Sequence, residues 1–234
     1  MERIDKIIVA QTNYSRKEVK ELVRLKRVAV NGKSVLKSDI KVDINSVKII
    51  INGEELNFKE HLYLMLNKPK GYVSATEDRD CQTVLELVPD ELFRSSLFPA
   101  GRLDKDTTGL MIITDDGDLA HNILAPKKHI RKIYEVTLDI PVTENMIKKF
   151  KDGIELNDGE CKTAILEITG ENTCKVTITE GRYHQIKRMF GCCKAKVIEL
   201  NRICMGNLFL PNDLGLGECR ELTKAELELL TKKN

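Results

Sequence analysis

The chain has 234 residues, with 38 Lys and Arg against 36 Asp and Glu, so its formal net charge is only +2. Hydrophobic residues at 41% and charged residues at 32% indicate a soluble globular protein with a real core and exclude disorder. No apolar run reaches the roughly 18 residues of a membrane span, and the first twenty residues return too soon to charge for a signal peptide.

The charge is unevenly placed. Residues 1–60 carry 13 Lys and Arg against 9 Asp and Glu, while the remainder carries 25 against 27. A small basic unit of this kind hints at a polyanionic partner. Within it, residues 3–11 and 15–27 read as amphipathic helices, the second opened by a Ser15–Glu18 capping box. Val19, Leu22 and Val23 form its apolar stripe, and Arg16, Lys17, Lys20, Arg24 and Arg27 its opposite face. VAVNGKSV predicts a hairpin turning at Asn31-Gly32, and a second Asn-Gly follows at 52–53.

After residue 60 strands dominate. LYLMLNKP (62–69) is a buried strand, 83–88 a short helix, and 97–117 a strand, a polar loop and a second strand closed by Asp116-Gly117. A helix at 118–126 stops at Pro126, and a basic segment leads into a strand holding Ile133, Tyr134, Val136 and Leu138. A helix ending near Gly153 precedes strands around 161–169 and 173–179. The stretch 181–193 reads as loop and helix, 195–203 as strand, and 222–230 as a terminal helix capped by Thr223 and Glu226. The fold class is α+β: residues 1–59 form a small α/β domain, and residues 60–234 a domain on a mixed, largely antiparallel sheet. Seven cysteines without regular spacing fit a reducing compartment.

Three segments concentrate charge between apolar runs. GRLDKDTTGL (101–110) places Asp104 on a loop pinned by glycines. Lys127-Lys128-His129-Ile130-Arg131-Lys132 sets cations, suited to phosphates, before Tyr134, suited to a base. In EGRYHQIKRMF (180–190), helical spacing groups His184, Lys187 and Arg188 on one face, where cations would orient a nearby carboxylate. Taken singly, each also reads as a solvated loop or helix face.

In combination and in this order, GRLDKDTTGL, KIYEV and EGRYHQIKRMF resemble the RsuA family of pseudouridine synthases. LNKPKGYVSA is similar to the strand and loop that precede its catalytic motif, and SRKEVKELVRLKRVAVNGKSV resembles an S4 RNA-binding domain. The resemblance implies that Asp104 is the nucleophile that isomerises a uridine in RNA, without metal or cofactor. It implies that Tyr134 stacks on the flipped base and Lys187 pairs with the Asp, where the wider superfamily usually has Arg. Arg102 and Arg182 would contact RNA in the catalytic domain, and Arg16, Lys17, Lys20 and Arg24 would do so in the S4 domain. Lys26 stands where family sequences commonly have Gly. The implied partner is ribosomal RNA or a subunit assembly intermediate, met by a cytoplasmic monomer. The small-subunit enzyme, with its uridine 516 type of site, is the nearest in motif and length. A large-subunit enzyme of the same family is the alternative, as is a non-catalytic assembly factor. A glycosidase-like pair at Asp104 and Asp106, or at Asp115 and Asp116, is disfavoured because near-adjacent acids on extended backbone need not face one another.

Overall fold

In the computed structural model, which describes every residue except Asn45, Pro126, Lys127, His129, Lys233 and Asn234, the chain condenses into two units. The first comprises Met1–Leu62 with Val88–Leu97, and the second comprises Tyr63–Leu87 with Phe98–Asn234. The stop expected at Pro126, and Lys127 and His129 of the basic segment, lie outside the described residues.

In the first unit, β1 (Glu2–Arg3) leads into α1 (Ile4–Gln11) and α2 (Arg16–Arg24). Ile4 and Ile8 of α1 meet Val19, Leu22 and Val23 of α2 in one core, as the apolar stripes require. The capping box forms: Ser15 Oγ accepts from Glu18 N at 3.3 Å, and Glu18 Oε2 accepts from Ser15 N at 2.7 Å. The helix ends in a Schellman motif, with Lys26 N donating to Val23 O at 3.0 Å and Arg27 N to Leu22 O at 2.9 Å. Lys26 takes the left-handed conformation, φ +57°, that Gly accepts freely. The departure from the family's Gly therefore leaves the turn intact, with strain on the order of 1 kcal/mol.

Asn31 and Gly32, with φ +49° and +78°, join β2 (Val28–Val30) to β3 (Lys33–Ser34) in the expected hairpin. β4 (Lys41–Val42) pairs with β1. β5 (Ile49–Ile51) and β6 (Glu54–Glu55) form a second hairpin across Asn52-Gly53, giving the sheet order β3-β2-β5-β6. The later segment Val88–Leu97 joins this unit through Arg94, whose Nη2 donates to Gln11 Oε1 at 2.8 Å.

The second unit runs β7 (Tyr63–Lys68), a 3₁₀ turn (Val84–Leu87), β8 (Phe98–Pro99), β9 (Thr108–Thr114), α3 (Gly117–Leu124), β10 (Lys132–Leu138) and α4 (Glu144–Asp152). It continues with β11 (Glu155–Leu156), β12 (Gly159–Glu160), β13 (Ile165–Ile168), β14 (Thr173–Ile178), α5 (Gln185–Gly191) and β15 (Val197–Met205). β16 (Leu208–Phe209), β17 (Cys219–Glu221) and α6 (Lys224–Thr231) complete it. Among the described residues, nine strands make one sheet in the order β13-β14-β10-β15-β9-β7-β17, with β16 on β15 and β8 on β9. Its pairings are antiparallel except β9 with β15, so the sheet is mixed as expected. β9 ends at Thr114, just before Asp116-Gly117, and the Asp116 carboxylate caps the following α3, accepting from Leu119 N at 2.9 Å.

Candidate active site

β7 is buried from Leu64 onward, so its last residue, Lys68, is carried into the interior and is fully buried. An ammonium there must find acceptors. Its Nζ donates to the carbonyls of Pro69 (3.1 Å), Asp104 (3.1 Å), Lys105 (3.4 Å) and Thr107 (2.9 Å). Burial pushes Lys68 down to about 8, against the pull of Asp106 and Asp104. The same segment grips the loop twice more. Ser74 Oγ donates to Leu103 O at 2.8 Å and accepts from Leu103 N at 3.0 Å, and Gly71 N donates to Lys105 O at 2.8 Å. Downstream, Gly109 (φ +102°) crosses against β15 so closely that a Cβ would overlap the backbone of Arg202 and the side chain of Asn201. The loop bearing Asp104 is thus fixed from both ends, and its carboxylate stays one-quarter exposed.

Facing it is α5. Lys187 Nζ lies 3.1 Å from Asp104 Oδ2 and 2.5 Å from Asp106 Oδ1. Burial works against the Lys187 charge, but the hydrogen bonds it donates to Asp106 and Asp104 outweigh it and raise its pKa. The bond from Lys187 holds the Asp106 carboxyl below its ordinary range. The expected pair is therefore a triad: an ammonium lacks the guanidinium fork, and a second carboxylate fixes it instead.

The rest of the expected helix face separates. His184 lies outside α5, as its N-terminal flanking residue with φ +46°, and its Nε2 is 3.5 Å from Asp104 Oδ1. Tyr183 stacks on His184 with ring centroids 3.8 Å apart and is largely exposed. Arg188 turns away from Asp104 to pair with Asp158. Gln185, not singled out from the sequence, is buried and braces the helix entry: Nε2 donates to Glu180 Oε1 at 2.8 Å, and Oε1 accepts from Arg182 N at 3.0 Å.

Tyr134 on β10 is buried, 7% exposed, and with Leu103, Ile178, Ile186 and Leu200 forms the apolar part of a slot beside Asp104. A wider cleft of about 620 Å³ adjoins it. Arg102 is exposed on the lining of both and makes no hydrogen bond among the described residues. Arg182 also lines both, but its guanidinium is occupied: it donates to the carbonyls of Asp158 at 3.3 Å and Gly159 at 2.8 Å, and to that of Glu160. It holds the β11–β12 turn rather than presenting free donors.

In the first unit, Arg16, Lys17, Lys20 and Arg24 all lie exposed on α2. Arg24 is tied to Glu21 by bonds of 2.8 and 2.6 Å, whereas Arg16, Lys17 and Lys20 make no hydrogen bond or ion pair among the described residues. Among those residues no group of His, Cys, Asp or Glu is arranged to hold a metal ion, and no helix is long and apolar enough to cross a membrane.

Comparison with known sequences and structures agrees with this geometry. The family described as RNA pseudouridylate synthase matches residues 62–191, and the S4 domain matches residues 2–48. The ribosomal small subunit pseudouridine synthase A of Escherichia coli (strain K12) is 41% identical over 229 residues, covering 96% of this chain and 98% of that protein. The protein of the same name from Yersinia pestis is 40% identical over 236 residues, covering 96% of each. A solved structure of a pseudouridylate synthase superposes with a TM-score of 0.70 at 38% identity, covering 98% of this chain and all of the other.

Proposed function

The chain belongs to the RNA pseudouridylate synthase family, as an RNA-acting enzyme of the small-subunit synthase A type, and from that premise we propose that it isomerises one uridine of 16S ribosomal RNA, of the uridine 516 type, with Asp104 as nucleophile. The observation that carries this reading is the presentation of Asp104: a carboxylate on a loop locked by Lys68, Ser74 and Gly109, facing Lys187 at 3.1 Å, beside a slot walled by Tyr134.

The chemistry follows from those parts. The target nucleotide leaves its stack, at a cost of a few kcal/mol, and its uracil enters the slot against Tyr134. The Asp104 carboxylate attacks C1′ of the ribose as the C1′–N1 bond breaks, which divides one difficult step into two easier ones. Lys187 keeps Asp104 aimed. The freed uracil turns and its C5 bonds to C1′ as the Asp104–C1′ bond breaks and releases the carboxylate. C5 then loses its hydrogen as a proton, with Tyr134 placed to assist its removal, and N1 takes up a proton. The net change is an isomerisation, so no redox group or hydrolytic water is consumed. Arg102, the free cation at the mouth, holds the RNA backbone. The S4 domain, with Arg16, Lys17, Lys20 and Arg24, supplies salt-dependent affinity.

Release of tritium from RNA labelled at C5 of uridine tests the reading. The native chain should release it from small-subunit ribosomal RNA, and Asp104→Ala should lower the rate on the order of a thousand-fold or more. Full activity in Asp104→Ala would overturn the mechanism.

A further inference from the structure

Among the described residues of the second unit, three cations are buried, Lys68, Lys132 and Arg202, and no acid is buried to the same degree. Lys68 has its cage of carbonyls and lies in the fields of Asp106 and Asp104. The other two have no such compensation. Lys132, 8% exposed, lies two residues before Tyr134 on the same face of β10, and Arg202, 2% exposed, stands across from Tyr134 on β15. Lys132 Nζ makes one hydrogen bond, to Ile130 O at 3.2 Å. Arg202 Nε donates to Leu110 O at 2.8 Å, and Arg202 Nη2 is buried without a partner. Neither forms an ion pair among the described residues, and both line the 620 Å³ cleft beside Asp104.

The other charged groups facing this floor do not supply the missing counter-charge. Asp104 is engaged by Lys187, Glu180 is held by Gln185 and Arg182, and Arg102 and His184 bring no negative charge. A buried cation without a counter-ion is disfavoured, and two of them repel each other. Such a floor is complete when it receives an anion, and the anions an RNA carries are its phosphates. Arg supplies directed donors to phosphate oxygens and Lys a point charge.

We propose that Lys132 and Arg202 form a phosphate subsite in the floor of the cleft, receiving one backbone phosphodiester next to the uridine that Asp104 attacks. The subsite rests on the functional reading above and adds which part of the RNA the catalytic unit grips. It places the flipped nucleotide by its backbone while Tyr134, on the same cleft, meets the base. Burial and the neighbouring Arg202 push Lys132 down to about 8, so an arriving phosphate restores its charge and binding near that pH takes up protons.

The test uses the full chain and a synthetic small-subunit ribosomal RNA fragment that it converts, with the phosphodiesters flanking the uridine replaced one at a time by neutral methylphosphonate. One linkage should lower the affinity of the native protein about ten-fold or more, and that loss should largely vanish in Lys132→Met. Calorimetry at pH 8.5 in two buffers of different ionisation enthalpy should find proton uptake with the unmodified fragment and none with that linkage neutralised. This second measurement needs no variant. Conversion of the fragment with equal losses at every linkage, or with no proton uptake, would overturn the subsite and leave the enzymatic reading standing. Failure to convert any ribosomal RNA would overturn both.

Discussion

The two units handle positive charge in opposite ways. On α2 of the first unit, Arg16, Lys17 and Lys20 stand in water without a hydrogen bond or ion pair among the described residues. In the second unit, Lys68, Lys132 and Arg202 are buried, and Lys187 is pinned between two carboxylates. A solvated cation can follow a polyanion in many poses and is screened by salt. A buried one has a single position and fixes whatever it touches. The first arrangement suits affinity, and the second suits placing a reacting atom.

The sharpest break of this contrast is Lys68→Met. It strips the donors from the carbonyls of Asp104 and Thr107, and unfolding in urea should show a loss of about 2–4 kcal/mol. Because Lys68 titrates near 8 in the fold against an ordinary 10.5, the unfolded chain holds the extra proton between those values. Native stability therefore gains relative to the variant as pH rises through that window. Lys17→Met, on exposed α2, should stay within about 0.5 kcal/mol at any of these pH values.

The next effect concerns the triad. Asp106→Asn frees Lys187 from its 2.5 Å contact and should lower kcat about ten-fold, with little change in KM. In a Lys187→Arg background the same substitution should cost much less, because a guanidinium can fork onto Asp104 without a second tether. Equal losses in both backgrounds would remove Asp106 from the positioning role.

Smaller changes belong to the first unit. Lys17→Ala and Lys20→Ala should weaken RNA binding while leaving kcat intact, each lowering the slope of log affinity against log salt by about 0.7–0.9 per lost phosphate contact. Lys26→Gly relieves the left-handed residue at the end of α2 and should raise stability by about 0.5–1 kcal/mol, read as a shift in the urea midpoint.

What could be read in advance was local. Asn31-Gly32, the Ser15–Glu18 box and the Thr223–Glu226 box each act within four residues, and all three form as expected. The long-range partnership of Asp104 with Lys187 was legible through motif resemblance, since spacing says nothing of which distant helix faces a loop. Lys68 carried no such signal. A lysine at the end of an apolar run ordinarily leaves toward water, and only the loop folded beneath it supplies acceptors. Arg188 departs from the expected grouping for a related reason. Helical spacing sets it beside Lys187, but Asp158 competes for its guanidinium group and wins. The return of Val88–Leu97 to the first unit includes the contact of Arg94 with Gln11, 83 residues apart, which no local pattern encodes.

The central claim is that a carboxylate paired with Lys187, on a loop fastened by the buried Lys68, isomerises a uridine in small-subunit ribosomal RNA. It meets its most direct test in pseudouridine mapping of that RNA from cells lacking this protein, complemented with the native chain or with Asp104→Asn. The account predicts one site lost in the deletion, restored by the native chain and still absent with Asp104→Asn. Retention of every small-subunit site in the deletion, or restoration by Asp104→Asn, would contradict it.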